Sequence, residues 1–251
     1  MIVGQIAYKA NTGELVEAFS LTEVEWEALS SSSKGTLRMP RSDWPAIPKT
    51  SIRGLRFFAH HPGYPGKLPK PESYAHTRRK IDTVKAARAL GYQANVEVAG
   101  SAPDGTQWIA DTLITHSNGK RIAFEVQLSS QHLRDFRLRT EKYRQSSVEC
   151  CWIVAERPVG SRLSKALAAD NIEYYRAHGE FQADAEDLLL FGVQWANKDA
   201  YPEKPPPLRF GRGPEMRRMP ILEAIDGVIK GLPYWRQPVW HWDDSLDTSK
   251  V

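Results

Sequence analysis

The chain has 251 residues, 34 of them Lys or Arg and 30 Asp or Glu, for a formal charge of +4. A quarter of the residues are charged and 41% are hydrophobic, enough to bury a core of one or two domains and too apolar for global disorder. No run approaches the roughly 18–20 apolar residues of a membrane span, and the only cysteines, Cys150 and Cys151, are adjacent, which excludes a disulfide scaffold and leaves no CxxC for a thiolate zinc site.

The N-terminal stretch turns polar within a few residues, unlike a signal peptide, so the expectation is a cytoplasmic protein with no membrane partner. Residues 1–20 read as two short strands around the turn Asn11-Thr12-Gly13. Thr22 and Glu25 make a capping box ahead of a short helix carrying Val24, Trp26 and Leu29. Residues 36–71 are rich in Pro and Gly and read as an irregular arm, with Gly54–His60 its one strand-like piece. A helix is predicted from Pro71, with Tyr74, Ile81, Val84, Ala87 and Leu90 as its apolar stripe and Gly91 as its end.

Three strands follow: Tyr92–Ala99, Gln107–Thr115 and Arg121–Leu128. Their connections are short, so they form an antiparallel meander. A helix over Gln131–Gln145 then acts as a crossover and lays a fourth strand, Val148–Ala155, parallel to the third. Beyond Pro158 the pattern predicts a helix (Ser161–Ala169), a strand or helix (Ile172–Ala177), a helical stretch around Asp184–Leu190, a proline linker (Lys204–Pro207) and a helix over Pro220–Gly231. The tail, with Tyr234, Trp235, Trp240 and Trp242, reads as packed on the core.

The small net charge conceals an asymmetry. Met1–Ser33 carries five Glu against Lys9, a balance of −4. Arg53–Leu90 carries nine bases against Glu72 and Asp82, a balance of +7, and Arg134–Arg144 adds +3. Such clusters are either solvated helix faces or a surface facing a polyanion.

Three acids sit on the meander: Glu97, Asp111 and Glu125. Loop length decides whether they share a face. A two-residue turn at Asn118-Gly119 would pair 117 with 120, set Asp111 opposite Val126 and put Glu125 on the other face; three-residue loops, Pro103–Gly105 and Ser117–Gly119, would pair 102 with 106 and 116 with 120. Such loops need a left-handed third residue, and Gly105 and Gly119 supply it. Glu97, Asp111 and Glu125 then form a row. Strands lie about 4.8 Å apart, so neighbouring carboxylates can share one hard divalent cation, Mg²⁺ or Mn²⁺. The competing reading is a set of edge charges paired with Lys80, Arg121 or Arg78. Gln127 follows Glu125 by two residues and lies on the same face.

The segments FFAH (Phe57–His60), ESYAH with RRK (Glu72–Lys80), IADTL (Ile109–Leu113), FEVQLS (Phe124–Ser129), RTEKY (Arg139–Tyr143) and CWIV (Cys151–Val154) resemble, in order and spacing, the bacterial competence CoiA-like family. The resemblance covers about residues 57–155. It implies a restriction-endonuclease-like α/β fold of PD-(D/E)XK type: an αβββαβ core with a mixed four-stranded sheet, an N-terminal β-rich arm and a C-terminal helical and aromatic extension. The corresponding domains are 1–56, 57–157 and 158–251. The resemblance further implies that Asp111 and Glu125 are the two motif acids, that Gln127 stands where most superfamily members place a lysine, and that Glu97 matches an acid of the first strand. It also implies departures. Gln107–Ala110 replaces the Arg and Pro that often precede the aspartate, and the arm lacks the cysteines of a zinc-finger-like segment.

Glu72, His76 and Lys80 are spaced i, i+4, i+8 on one helix face. They read as a further metal ligand, a phosphate contact and a substitute for the charge missing at Gln127, or as a plain surface ion pair. Arg139 and Tyr143 either grip phosphate or anchor their helix to the sheet. Arg78, Arg79, Arg137 and Arg139 are candidate backbone-phosphate contacts. His60 and His61 lack the partners of a zinc site. The expected function is a Mg²⁺- or Mn²⁺-dependent DNA nuclease. The alternatives are a catalytically weak DNA-binding accessory in uptake or recombination, acting with other DNA-processing proteins, and a nuclease component of a mobile-element or defence locus.

Overall fold

The structure is a computed structural model and describes residues 4–68, 70–180, 188–194, 201–213, 216–236 and 239–246. It divides into two units, Met1–Ile81 and Asp82–Val251. Their boundary falls within a continuous helix.

The first unit holds β1 (Ile6–Lys9), β2 (Leu15–Glu17), α1 (Glu23–Ser30), β3 (Leu37–Arg38), β4 (Ala46–Thr50), β5 (Arg56–His60) and the start of α2 (Tyr74–Ala89). Strand β1 pairs antiparallel with β2 and β3, and β4 pairs antiparallel with β5. The capping box forms as the sequence predicts: Thr22 Oγ1 accepts the Glu25 amide, and Glu25 accepts the Thr22 amide. The core is Trp26, Leu37, Met39 and Phe58, with Trp26 and Phe58 tilted at 5.6 Å. Two expectations change. The arm gains two strands, β3 and β4, the latter despite Pro48; among the described residues β4 forms a sheet with β5 alone, and an edge tolerates a residue without an N–H. Helix α2 starts at Tyr74 rather than Pro71, because Ser73 Oγ accepts the His76 amide at 3.2 Å and takes the N-cap.

The second unit holds the remainder of α2, then β6 (Gln93–Ser101), β7 (Gln107–Thr115), β8 (Arg121–Gln127), α3 (Leu133–Gln145), β9 (Glu149–Ala155), α4 (Ser161–His178), β10 (Leu189–Val193), β11 (Leu208–Phe210), β12 (Arg217–Met219), α5 (Ile221–Lys230), β13 (Pro233–Arg236) and β14 (Val239–Trp242). The fold class is thus mixed α/β, with five α-helices among the described residues. One sheet runs β12-β11-β10-β9-β8-β7-β6. Strands β8, β9 and β10 are parallel, and the flanking pairs are antiparallel. The element order α2-β6-β7-β8-α3-β9 is the one read from the sequence.

The sheet has seven strands where four were expected. The C-terminal segment supplies three of them. Residues 189 and 190 are strand, not helix; the rest of the Asp184–Leu190 stretch lies largely outside the described residues. A buried strand beside a parallel neighbour is apolar throughout and does not alternate, so periodicity cannot separate it from a helix. Helix α4 also runs unbroken through Ile172–Ala177, with Leu163 and Leu167 buried on its inner stripe. The core of this unit centres on Phe136 and Trp152, edge to face at 4.6 Å, with Val154, Leu163 and Leu167. No helix among the described residues is long and apolar enough to cross a membrane.

Candidate functional site

Of the loop lengths the sequence permits, both connections take the three-residue form. The Ala102 amide donates to Thr106 O and the His116 amide to Lys120 O, each at 2.9 Å. Gly105 and Gly119 take φ of +84° and +86°. The register follows: Val96 faces Thr112, Val98 faces Ala110, and Thr112 faces Phe124. Glu97, Asp111 and Glu125 therefore occupy successive positions across β6, β7 and β8.

They are not equivalent. Glu97 sits at φ +55° inside a strand, a left-handed backbone that costs a side-chain-bearing residue roughly 1–2 kcal/mol. Glu97→Gly is expected to be more stable than Glu97→Ala by about 1 kcal/mol, read by urea denaturation. Equal stabilities would mean that the backbone relaxes at no cost. Asp111 is half-buried, and its Oδ2 accepts the Val126 amide at 2.9 Å. This bond fixes the carboxylate against the next strand.

Glu125 is fully buried, and α3 holds both of its oxygens. Tyr143 Oη donates to Oε1, and Arg139 Nη2 donates to Oε2 in an ion pair. The Arg139 guanidinium lies 4.8 Å from the centre of the Trp152 ring, and Trp152 is the β9 residue opposite Glu125. Trp152 in turn donates from Nε1 to Thr140 Oγ1 at 2.9 Å. Burial, then the charge of Asp111, pushes the Glu125 carboxyl up to about 7, against the opposing pull of Arg139 and Tyr143. Burial and Glu125 raise the Tyr143 phenol. Burial works against the Arg139 charge, but Glu125 and Asp111 outweigh it and its pKa rises.

Tyr143 has one proton and two acceptors, since Ile109 O also lies 3.1 Å away. With Glu125 ionised, Tyr143 donates to it. With Glu125 protonated, the acid can donate to Tyr143 Oη, and Tyr143 turns its own proton to Ile109 O. Both charge states of the buried acid are thereby satisfied.

The raised pKa gives a signed prediction for the metal-free protein. Between the ordinary value of 4.5 and about 7, the folded state holds more protons than the unfolded state. Stability from this group is present below about 4.5 and is lost as pH rises through 7, by on the order of 3 kcal/mol. Urea titrations across pH 4–8 should show that decline, and Glu125→Gln should remove it. An identical decline in the variant would assign it elsewhere.

Gln127 is buried, and its Nε2 donates to Ser129 O at 2.7 Å and to Ser129 Oγ at 3.0 Å. Arg137 pairs with Asp170 on α4 at 2.6 Å. In the first unit, Lys80 Nζ donates to Glu72 Oε1 at 2.7 Å and Thr77 Oγ1 to Glu72 Oε2 at 3.1 Å. His76 lies one turn into the same helix. Arg78 bonds Tyr74 Oη at 3.1 Å, while Arg79 and Lys80 are fully buried. Burial takes Arg79 off the solvent-facing basic surface on which the charge pattern had placed it. Burial also raises the thiols of Cys150 and Cys151, which leaves them protonated and unreactive.

Sequence reasoning paired Arg139 and Tyr143 correctly as neighbours one turn apart, and left open whether they grip phosphate or anchor the helix. In the structure both bind Glu125. It missed Trp152 and Ser129. The parallel β8–β9 register would have found Trp152, since it sets that residue beside Glu125.

The acid pair is an all-oxygen donor set under mutual repulsion, the chemistry that suits a hard divalent cation. No curated protein matches the chain. Residues 72–195 match the family model described as competence protein CoiA, nuclease-like domain; this span takes in α2, β6–β10, α3 and α4, and over it the chain is a member of the CoiA-like family.

Proposed function

We infer that the protein is a divalent-metal-dependent nuclease acting on DNA, built on a restriction-endonuclease-like core within the larger sheet. The observation that carries this reading is the Asp111–Glu125 pair on adjacent strands, inside a segment matched by a nuclease-like family model. Asp111 and Glu125 would hold Mg²⁺ or Mn²⁺, with Glu97 as a further donor. A bound cation supplies a water of lowered pKa and neutralises charge growing on the phosphate.

The chain's own groups do the positioning. The Val126 amide fixes Asp111. Arg139 and Tyr143 fix Glu125 and favour its ionised form, which the repulsion from Asp111 opposes. Gln127 orients the phosphate or the attacking water, and Arg78 and Arg137 contact the strand backbone without reading sequence; Lys80, buried against Glu72, is set aside from that role.

One observation favours a second reading, a DNA-binding accessory with a weakened site. Gln127 has no basic atom, and its amide donates to Ser129. It cannot shuttle a proton as a lysine would. Purified protein incubated with labelled single-stranded, duplex and branched DNA, in Mg²⁺, Mn²⁺ or EDTA, separates the two. Cation-dependent fragments support the nuclease. Shifted but uncut bands under every cation support the accessory. Neither cutting nor shifting would remove both.

A further inference from the structure

A cavity lies in the Asp82–Val251 unit, beside the C-terminal end of β9 and along β10. It is half-open, has a volume of about 370 Å³ and lies between α4, β11 and the β13–β14 hairpin. Its volume is that of a small-molecule site rather than a packing defect. None of its lining residues is used by the acid pair.

Its walls have three chemistries. Trp235 and Trp240 face each other across the hairpin, edge to face at 5.8 Å, and give an aromatic wall. Glu156, just past β9, pairs through Oε1 with Arg209 of β11, but its Oε2 is buried and has no hydrogen-bond partner. The Trp235 indole N–H is likewise buried without a partner. A buried polar atom left unpaired costs roughly 1–3 kcal/mol, and such atoms are rare in native proteins. Here one donor and one acceptor stand unmet on residues that line the same cavity. Arg209 lines the cavity, and so does the exposed Arg212 on the adjoining turn.

The floor is kept open by Gly192. It pairs with Val154 on one side and Arg209 on the other. A Cβ placed there would lie 3.9 Å from the Glu156 Cβ and 3.8 Å from Arg209 O, so the first carbon fits and a longer side chain would grow into the space.

We propose that this cavity binds a nucleotide: a planar heterocycle against Trp235 and Trp240, meeting the indole donor and the Glu156 acceptor with its own ring acceptor and amino group, and a phosphate at Arg212. Flat aromatic surface, a paired donor and acceptor, and a cation at the rim are together the requirements of a base joined to a phosphate. The nucleotide comes from solution or from the end of a nucleic-acid strand; the chemistry is the same. The site stands whether or not the acid pair cleaves DNA.

Isothermal titration of the full chain in EDTA tests it, with adenosine 5′-monophosphate, adenosine, inorganic phosphate and a 5′-phosphorylated hexanucleotide as probes. Saturable binding of the mononucleotide or the hexanucleotide is expected, with phosphate alone at least about tenfold weaker. Trp235→Phe keeps the ring and removes the donor, and should weaken binding about tenfold. Arg212→Ala should weaken the phosphorylated probes and spare adenosine. Gly192→Leu should abolish binding with an unchanged melting temperature, and Asp111→Asn should leave it intact. A hexanucleotide that binds tighter than the mononucleotide identifies a strand end, and the reverse identifies a free nucleotide. The proposal is overturned if no probe binds, if phosphate alone matches the nucleotides, or if a folded Gly192→Leu variant binds as the parent does. Should Gly192→Leu fail to fold, Trp235→Phe and Arg212→Ala decide alone; unchanged affinities in both would overturn it.

Discussion

Asp111→Asn is expected to lower cation-dependent DNA cleavage by at least about a thousandfold while the protein stays folded. The substitution keeps an oxygen to accept the Val126 amide, so the β7–β8 contact survives. It removes the negative charge. If the cation supplies several kcal/mol at the phosphate, losing its anchor costs about 4 kcal/mol, or three powers of ten. The same change relieves the repulsion on Glu125, so the Glu125 carboxyl should ionise at lower pH. Single-turnover cleavage of a labelled oligonucleotide, with thermal unfolding as the control, reads both consequences. Cleavage within tenfold of the parent would remove Asp111 from the reaction.

The second large effect is on stability. Arg139→Met should destabilise the protein by about 1.4 kcal/mol more at pH 8 than at pH 5, because Glu125 loses the counter-charge that favours its ionised form and takes up a proton to stay buried. For a chain of this size that is a further drop of roughly 3–6 °C in Tm at pH 8. At pH 5 Glu125 carries a proton, and the deficit should shrink to the packing lost against Trp152. The pH contrast is the signature of the pair. A deficit equal at pH 5 and pH 8 would make Arg139 a packing residue only.

Turn chemistry carried the legible part of the fold. Gly105 and Gly119 each close a three-residue loop, and the loops set the register that aligns Glu97, Asp111 and Glu125. The same arithmetic could not foresee that Glu97 would adopt a left-handed backbone, since pairing position says nothing of φ. Nor could it foresee how Glu125 is held. Arg139 and Tyr143 are one turn apart and plainly share a face, but that face meets Glu125 only because α3 crosses back over β8 and β9. Strand β4 hid behind Pro48, and β10 hid in an apolar run too short to tell from a helix. The charge of +4 likewise gave no hint of its layout. Part of the basic middle, Arg79 and Lys80, is buried rather than presented to a partner.

Titration of the metal-free full chain with Mn²⁺, followed by the electron paramagnetic resonance signal of the free ion, tests the central claim most directly. The account predicts saturable uptake by the parent protein that is lost in folded Asp111→Asn and strongly weakened in folded Glu125→Gln. Uptake unchanged in both variants, or none by the parent, would contradict it.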